Sequence, residues 1–343
     1  MMDRTTFKAA IVKELKNHLP EEFAAGEIKV SEIYKTNRKI ETLTMVLPDK
    51  NICPNFNLDD LYNGYELTGD FEGCLDNMAR ILVDTKNQSF DVSLLSDETK
   101  FKENVVMQLI NTDSNRELMA FAPHREFIDC SVVYRLLIQD DRDGVATVLV
   151  SNDMMRGYNL SEEELFNIAK ENTKRLMPPV IRPLSEVLME HMPKEMKDLF
   201  GATGAPEMPM FEPEEDLWIV SNKNGVNGAV QILYAENLQQ IADRVGNDIY
   251  ILPSSIHECL CVSKNKMDPG ELQDMVREVN MGVVNVADRL SNQVYLYDKN
   301  ARTITMVSDG KNRDIRDDLG KVAEKTMEYE KNNVIREFEV QGG

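Results

Sequence analysis

The chain reads as an α+β protein of two units, each a mostly antiparallel sheet with packed helices, and three features of the sequence predict this. Short segments of alternating apolar and polar residues occur in pairs, which is the pattern of β-hairpins. Amphipathic stretches at helical spacing, with recognisable start and stop signals, lie between them. Beyond residue 217 the order is strand, strand, helix, strand, strand, helix, which suits helices packed on an antiparallel sheet. A length of 343 residues exceeds the roughly 250–300 residues that one core usually fills. We therefore expect an N-terminal α+β domain over 1–200, a linker over 201–216, a C-terminal α+β domain over 217–310 and a charged helical tail over 311–343.

Taken in order, Phe7, Ile11, Leu15 and Leu19 recur at helical spacing and Pro20 stops them, predicting a helix over about 5–19. Residues 27–35 and 40–47 alternate across the polar Thr36-Asn37-Arg38-Lys39 and predict a hairpin with Leu43, Met45 and Leu47 on one face. The segment from Ile52 is expected as short extended structure turning at 57–60 into a helix, followed by a second helix over 71–83 and helical structure over 101–110. Residues 127–138 and 145–150 predict a long hairpin. Ser161 with Glu164 three residues on is a capping box, starting a helix that ends before Pro178-Pro179, and a shorter helix is expected over 184–191. In the second half, strands are predicted over 217–221, 229–234, 248–252, 256–262, 293–297 and 303–307, with helices over 236–245 and 269–279. Gly225-Val226-Asn227-Gly228-Ala229 is read as a hairpin turn between two of these strands, since a phosphate cradle would have to open a helix.

Composition excludes several function classes. Lys+Arg number 39 against 59 Asp+Glu, a net charge of −20, so the average surface repels nucleic-acid phosphates and anionic lipid, and neither is expected as a partner. The amino-terminal sequence lacks the apolar core of a signal peptide, and no run of about 18 apolar residues occurs, so a cytoplasmic location is expected. The five cysteines are scattered and form no CxxC pair, as expected of reduced thiols in a core. The nineteen methionines are read mainly as core filling.

The strings ICPNFNLDDLY, PHREFIDCSVVY, NLSEEELFNIAKENTKRLMPP, ILPSSIHECL and DRLSNQVYLYD, in that order, resemble an uncharacterised bacterial family, one of the domains of unknown function encoded by anaerobic gut-type bacteria. The resemblance spans most of residues 5–300 and implies no activity, cofactor or catalytic residue.

Two groups of side chains are candidates for chemistry. Ser254, Ser255, His257 and Glu258 place hydroxyls beside an imidazole and a carboxylate, a nucleophile-and-base set. In an extended strand, however, His257 and Glu258 would point to opposite faces. His124, Arg125 and Glu126 sit where a helix gives way to a strand, a place suited to ligand binding. If His124 and Glu126 met His257 and Glu258, they would make a two-histidine, two-carboxylate site able to activate water through a divalent metal. His257, Cys259 and Cys261 alternate on one strand, but their spread of about 13 Å is too wide for one ion. No metal site and no cofactor are therefore expected. The first reading is a non-enzymatic module that binds a protein or small ligand. The alternative is a metal-assisted or Ser/His hydrolase with its site between the domains.

Overall fold

The computed structural model describes residues 1–48, 54–86, 93–141, 144–191 and 217–308. Its contacts divide the chain into two compact units, Met1–Phe101 and Lys102–Gly343. The expected linker 201–216, the tail beyond 311 and Ile52 lie outside the described residues.

In the first unit, α1 (Arg4–Glu14) begins at Asp3, whose carboxylate accepts from the Thr6 N–H, and buries Phe7 and Ile11. A turn of 3-10 helix, Leu15–His18, continues it. The expected hairpin forms from β1 (Glu27–Lys35) and β2 (Arg38–Val46), closed by the pair Lys35 and Arg38. Asn37 supplies the left-handed residue such a turn needs, at φ 61°. β3 (Asn55–Asn57) pairs antiparallel with β2, and Asn57 caps α2 (Leu58–Thr68) by accepting from the Asp59 N–H. α3 (Phe71–Lys86) follows. The core gathers Phe7, Ile11, Leu43, Met45, Leu47, Tyr65, Leu75 and Met78. Phe7 is its hinge point, stacked on Tyr65 at 4.9 Å and edge-on to Tyr62 at 5.4 Å. α4 (Ser93–Ser96) and α5 (Glu98–Asn104) lead out of this unit.

The second unit holds two sheets, and every pairing among the described strands is antiparallel. In the first sheet β6 (Cys130–Asp141) pairs along one edge with β4 (Val105–Asn111). Its other edge pairs in succession with β5 (His124–Phe127) and β7 (Gly144–Leu149). A helix, α6 (Arg116–Phe121), joins β4 to β5. After the short α7 (Asn152–Gly157), α8 (Glu162–Leu176) packs on β4, and the Thr173 hydroxyl accepts from the Met107 N–H at 2.9 Å.

The capping box of α8 is present in both halves, Ser161 with the Glu164 N–H and Glu164 with the Ser161 N–H. Ser161→Ala removes one of these bonds from an exposed helix start and is expected to cost about 1 kcal/mol. Urea unfolding followed at Trp218, the single and buried tryptophan, measures it; an unchanged midpoint would mean the cap contributes nothing.

Among the described residues the second sheet has six strands. They are β8 (Pro179–Pro183), β9 (Trp218–Asn222), β10 (Ile249–Leu252), β11 (Cys259–Ser263), β12 (Tyr295–Asp298) and β13 (Thr303–Met306). Their order is β13-β12-β10-β11-β9-β8. β8 and β9, which flank the expected linker, are paired neighbours, so this sheet runs across it. α9 (Leu184–His191) follows β8. Alternation along the strands assigns the two faces. Tyr250, Leu252, Val262 and Leu296 pack with Leu272 and Val276 of α11 (Pro269–Gly282). On the opposite face Tyr297 donates to Ala235 O of α10 (Ala235–Val245), and Tyr295 reaches the turn between β5 and β6. No helix among the described residues is long and apolar enough to cross a membrane.

Four sequence expectations are corrected. Residues 101–110 are not one helix but α5 and then strand β4, whose seven residues are all buried; a strand covered on both faces loses its alternation and imitates a buried helix. Residues 229–234 are not a strand but a 3-10 helix, Gly228–Leu233, so 225–229 joins a strand to a helical turn rather than two strands. β11 begins at Cys259, three residues later than expected, because Ser255 and Ile256 bond instead to Arg289 and to Asp288 O. β5 and β8 were not anticipated; β8 is bounded by Pro179 and Pro183 and takes the edge position where proline is tolerated.

The turn between β5 and β6 is strained. Ile128, β-branched and 39% exposed, is held at φ 58°, a conformation that costs an L-residue roughly 1–2 kcal/mol. Glycine relieves that cost but adds unfolded-chain entropy of about 0.5–1 kcal/mol. Ile128→Gly is thus expected to raise stability by up to about 1.5 kcal/mol. A lowered urea midpoint would show that the isoleucine side chain contributes more than its backbone costs.

Candidate functional site

Several segments of the second unit converge on His257. The turn after β9 is shaped by asparagines: Asn222 Nδ2 donates to Val226 O at 2.7 Å, and Asn227 adopts φ 56°. This aims the Asn227 N–H at His257 Nδ1, 3.2 Å away. Asn227 Oδ1 accepts from Gln108 Nε2 of β4 at 2.8 Å, and Gln108 Oε1 accepts from Arg135 Nε of β6 at 2.6 Å. On the other side of the ring, Nε2 lies 3.3 Å from Asp288 Oδ1. A continuous polar chain therefore runs from Arg135, whose burial lowers its pKa to about 10, through both sheets to the half-buried Asp288.

The backbone of His257 is fixed as firmly as its ring. Its carbonyl accepts from Ser221 Oγ at 2.8 Å, and its N–H donates to Ser255 Oγ at 3.0 Å. Gly228 completes the fit. A Cβ there would stand 2.3 Å from Ser221 Oγ and 2.5 Å from His257 O.

Of the predicted nucleophile-and-base set, Ser255 and His257 are thus in contact, but through the backbone of His257. Ser254 holds its place by accepting from the Leu290 N–H at 2.9 Å, and Glu258 is exposed. With Nδ1 accepting from Asn227, the neutral ring carries its proton on Nε2, directed at Asp288. For a serine hydroxyl to give its proton to this imidazole, the Asn227 bond must first open, because Nδ1 holds the only free lone pair of the neutral ring.

The predicted ligand-binding group lies on β5. His124 is exposed, with Nδ1 donating to Ala122 O at 3.1 Å. Arg125 donates through Nε and Nη2 to Glu162 at 3.2 and 2.7 Å and through Nη2 to Glu163 at 2.6 Å. Its guanidinium stacks 3.9 Å from the Phe166 ring centroid. These bonds, Glu162 foremost, raise the Arg125 pKa. Tyr134 also donates to Glu162, so Arg125 ties β5 to the start of α8. Glu126 is exposed. Among the described residues no three of His, Cys, Asp and Glu are grouped to hold a metal ion, so His124, Glu126, His257 and Glu258 do not assemble a shared metal site. Cys259 and Cys261 are fully buried, and burial raises both thiol pKa values.

A second polar centre escaped sequence reasoning. Asp129, beside the strained Ile128, accepts from the hydroxyl of Tyr295 and from Ser291 Oγ at 2.6 Å. Cys130 Sγ lies 3.3 Å from the same tyrosine oxygen. Burial pushes the Tyr295 phenol and the Cys130 thiol well above their ordinary ranges, so both stay protonated and Asp129 serves as the acceptor. Asn111 reinforces the junction by donating to Leu290 O at 2.9 Å. The partners are more than 160 residues apart, and no local pattern joins them. Asn227 and Asp288 were missed for the same reason, although the Asn-Gly pair at 227–228 did mark a turn.

One surface feature stands apart from these networks. Along α11, Met275 and Val279 follow at i and i+4, exposed by 45% and 41%, Met281 is 46% exposed, and Val283, the residue that caps the helix, is 82% exposed. Val283 and Val284 lead directly into the 3-10 turn Val286–Asp288 that carries the partner of His257.

Comparison with curated proteins and with solved structures returned no match. A model for a family of unknown function, DUF5688, matches residues 4–299, a span that includes every residue of the two polar centres and of the α11 stripe, and the chain belongs to that family.

Proposed function

We propose that this is a non-enzymatic cytosolic protein that binds a partner protein through the exposed stripe of α11. The observation that carries the reading is the stripe itself: large apolar side chains gathered on one helix and its C-terminal cap, beside the face that packs on the sheet. Single exposed apolar residues are ordinary, whereas a contiguous row marks an interaction surface. The polar chain through His257 supports the reading from the other side, since its members are occupied in joining strands and turns. A photo-crosslinking residue at Val279 in the living host is expected to yield discrete adducts that an additional Val283→Asp substitution removes. The same probe at exposed Glu258 serves as control, and equal yields from the two positions would end the proposal.

A Ser/His hydrolase is favoured by one observation, the pairing of His257 with Asp288 beside Ser255. On the binding reading, purified wild-type protein and His257→Gln turn over activated esters at the same background rate, with or without added zinc. Turnover by wild type alone would establish the hydrolase instead.

A further inference from the structure

The exposed side of α11 carries charge as well as apolar surface. Glu271, Asp274 and Glu278 are all exposed. At 100° per residue they fall in a band along the outer edge of Met275 and Val279, the helical part of the row that Val283 extends at the cap. Arg277 reaches Asp274 at 3.5 Å, and among the described residues no ion pair engages Glu271 or Glu278. The row is therefore bounded on one side by its own sheet and on the other by a rail of carboxylates.

We propose that the occupant of this face is a basic amphipathic helix, whose apolar side chains at i, i+4 and i+7 seat on the row while lysines or arginines meet the rail. The proposal rests on α11 being the interaction surface. Helix-on-helix docking uses just such spaced apolar anchors, and flanking charge selects among partners that are equally apolar. The competing occupants bring the wrong charge. A second copy of this chain, at −20, opposes like rails, and an anionic membrane is repelled by the carboxylates that flank the row.

The test uses the full chain and a fluorescent helical peptide of leucine and lysine, with a leucine and glutamate peptide of the same pattern as control. The basic peptide is expected to bind at least about tenfold more tightly than the acidic one. A Met275→Ser, Val279→Ser, Val283→Ser variant, its fold checked by circular dichroism and Trp218 emission, is expected to lose about tenfold or more in affinity. Glu271→Lys with Glu278→Lys is expected to weaken binding by about threefold to tenfold and to flatten its salt dependence. If the serine variant binds the basic peptide as wild type does, the stripe is not the binding surface and the reading of α11 falls with the proposal. If the serine variant loses binding but the two peptides bind wild type alike, or charge reversal changes nothing, the surface stands and the basic partner is overturned. A concentration-dependent dimer abolished by Val279→Asp, or binding to anionic vesicles abolished by it, would overturn the proposal in favour of a second copy or of a membrane.

Discussion

Gly228→Ala is expected to destabilise the second unit by about 3 kcal/mol or more, a value at the upper end for overpacking. An added Cβ would stand 2.3 Å from Ser221 Oγ, 2.5 Å from His257 O and 2.7 Å from Asn222 N, and two of those atoms belong to backbone. Neither can swing aside without breaking strand β9 or the turn that positions His257. The methyl group must therefore displace the His257 carbonyl, opening its bond from Ser221 and the link from Asn227 to the ring. Urea unfolding at Trp218, which lies in β9 itself, reads the loss, and an NMR shift of the His257 ring protons would accompany it. A change below about 1 kcal/mol would mean that the turn relaxes at little cost and that the polar chain through His257 is looser than its geometry.

Asp129→Ala is the second large effect, expected at about 2–6 kcal/mol. The carboxylate is the acceptor for two hydroxyls that have little solvent, those of Tyr295 and Ser291, both in residues with no exposed surface. Deleting it strands both donors, at about 1–3 kcal/mol each. Asp129→Asn keeps one acceptor and is expected to recover about half of the loss. Tyr295→Phe in the Asp129→Ala background should then restore part of the stability, because it removes one of the two stranded donors. If that double variant is no more stable than Asp129→Ala alone, the tyrosine hydroxyl finds another partner and the carboxylate is not what joins the β5–β6 turn to the six-stranded sheet.

These two positions show what a linear reading could and could not recover. The hairpin of β1 and β2, the pair β6 and β7, the capping box of α8 and the helices α9, α10 and α11 were legible because each is written in residues within one or two turns of one another. Strand β4 was misread because the signal itself is lost when both faces are covered, as its unbroken burial shows. The 3-10 helix at Gly228–Leu233 was misread because it is buried by contacts with distant segments, while its apolar run has the composition of a strand. Of the candidate site, Ser255 and His257 were named, yet the partners that define them, Asn227, Asp288 and Ser221, lie about 30 residues or more away in the chain, beyond any local pattern.

The sequence by itself determined the α+β class, the antiparallel hairpins, the helix starts and stops and the strongly acidic balance, since these follow from local periodicity, capping and charge count. Tertiary structure alone decided that β8 and β9 pair in one sheet, that Asp129 and Asn227 join the two sheets, that His257 has both ring nitrogens engaged, and which row of α11 stays uncovered. Each of those depends on which distant segments share a face, and the energy that selects them, burial of apolar surface with every enclosed polar group bonded, is a property of the packed whole rather than of any stretch of residues.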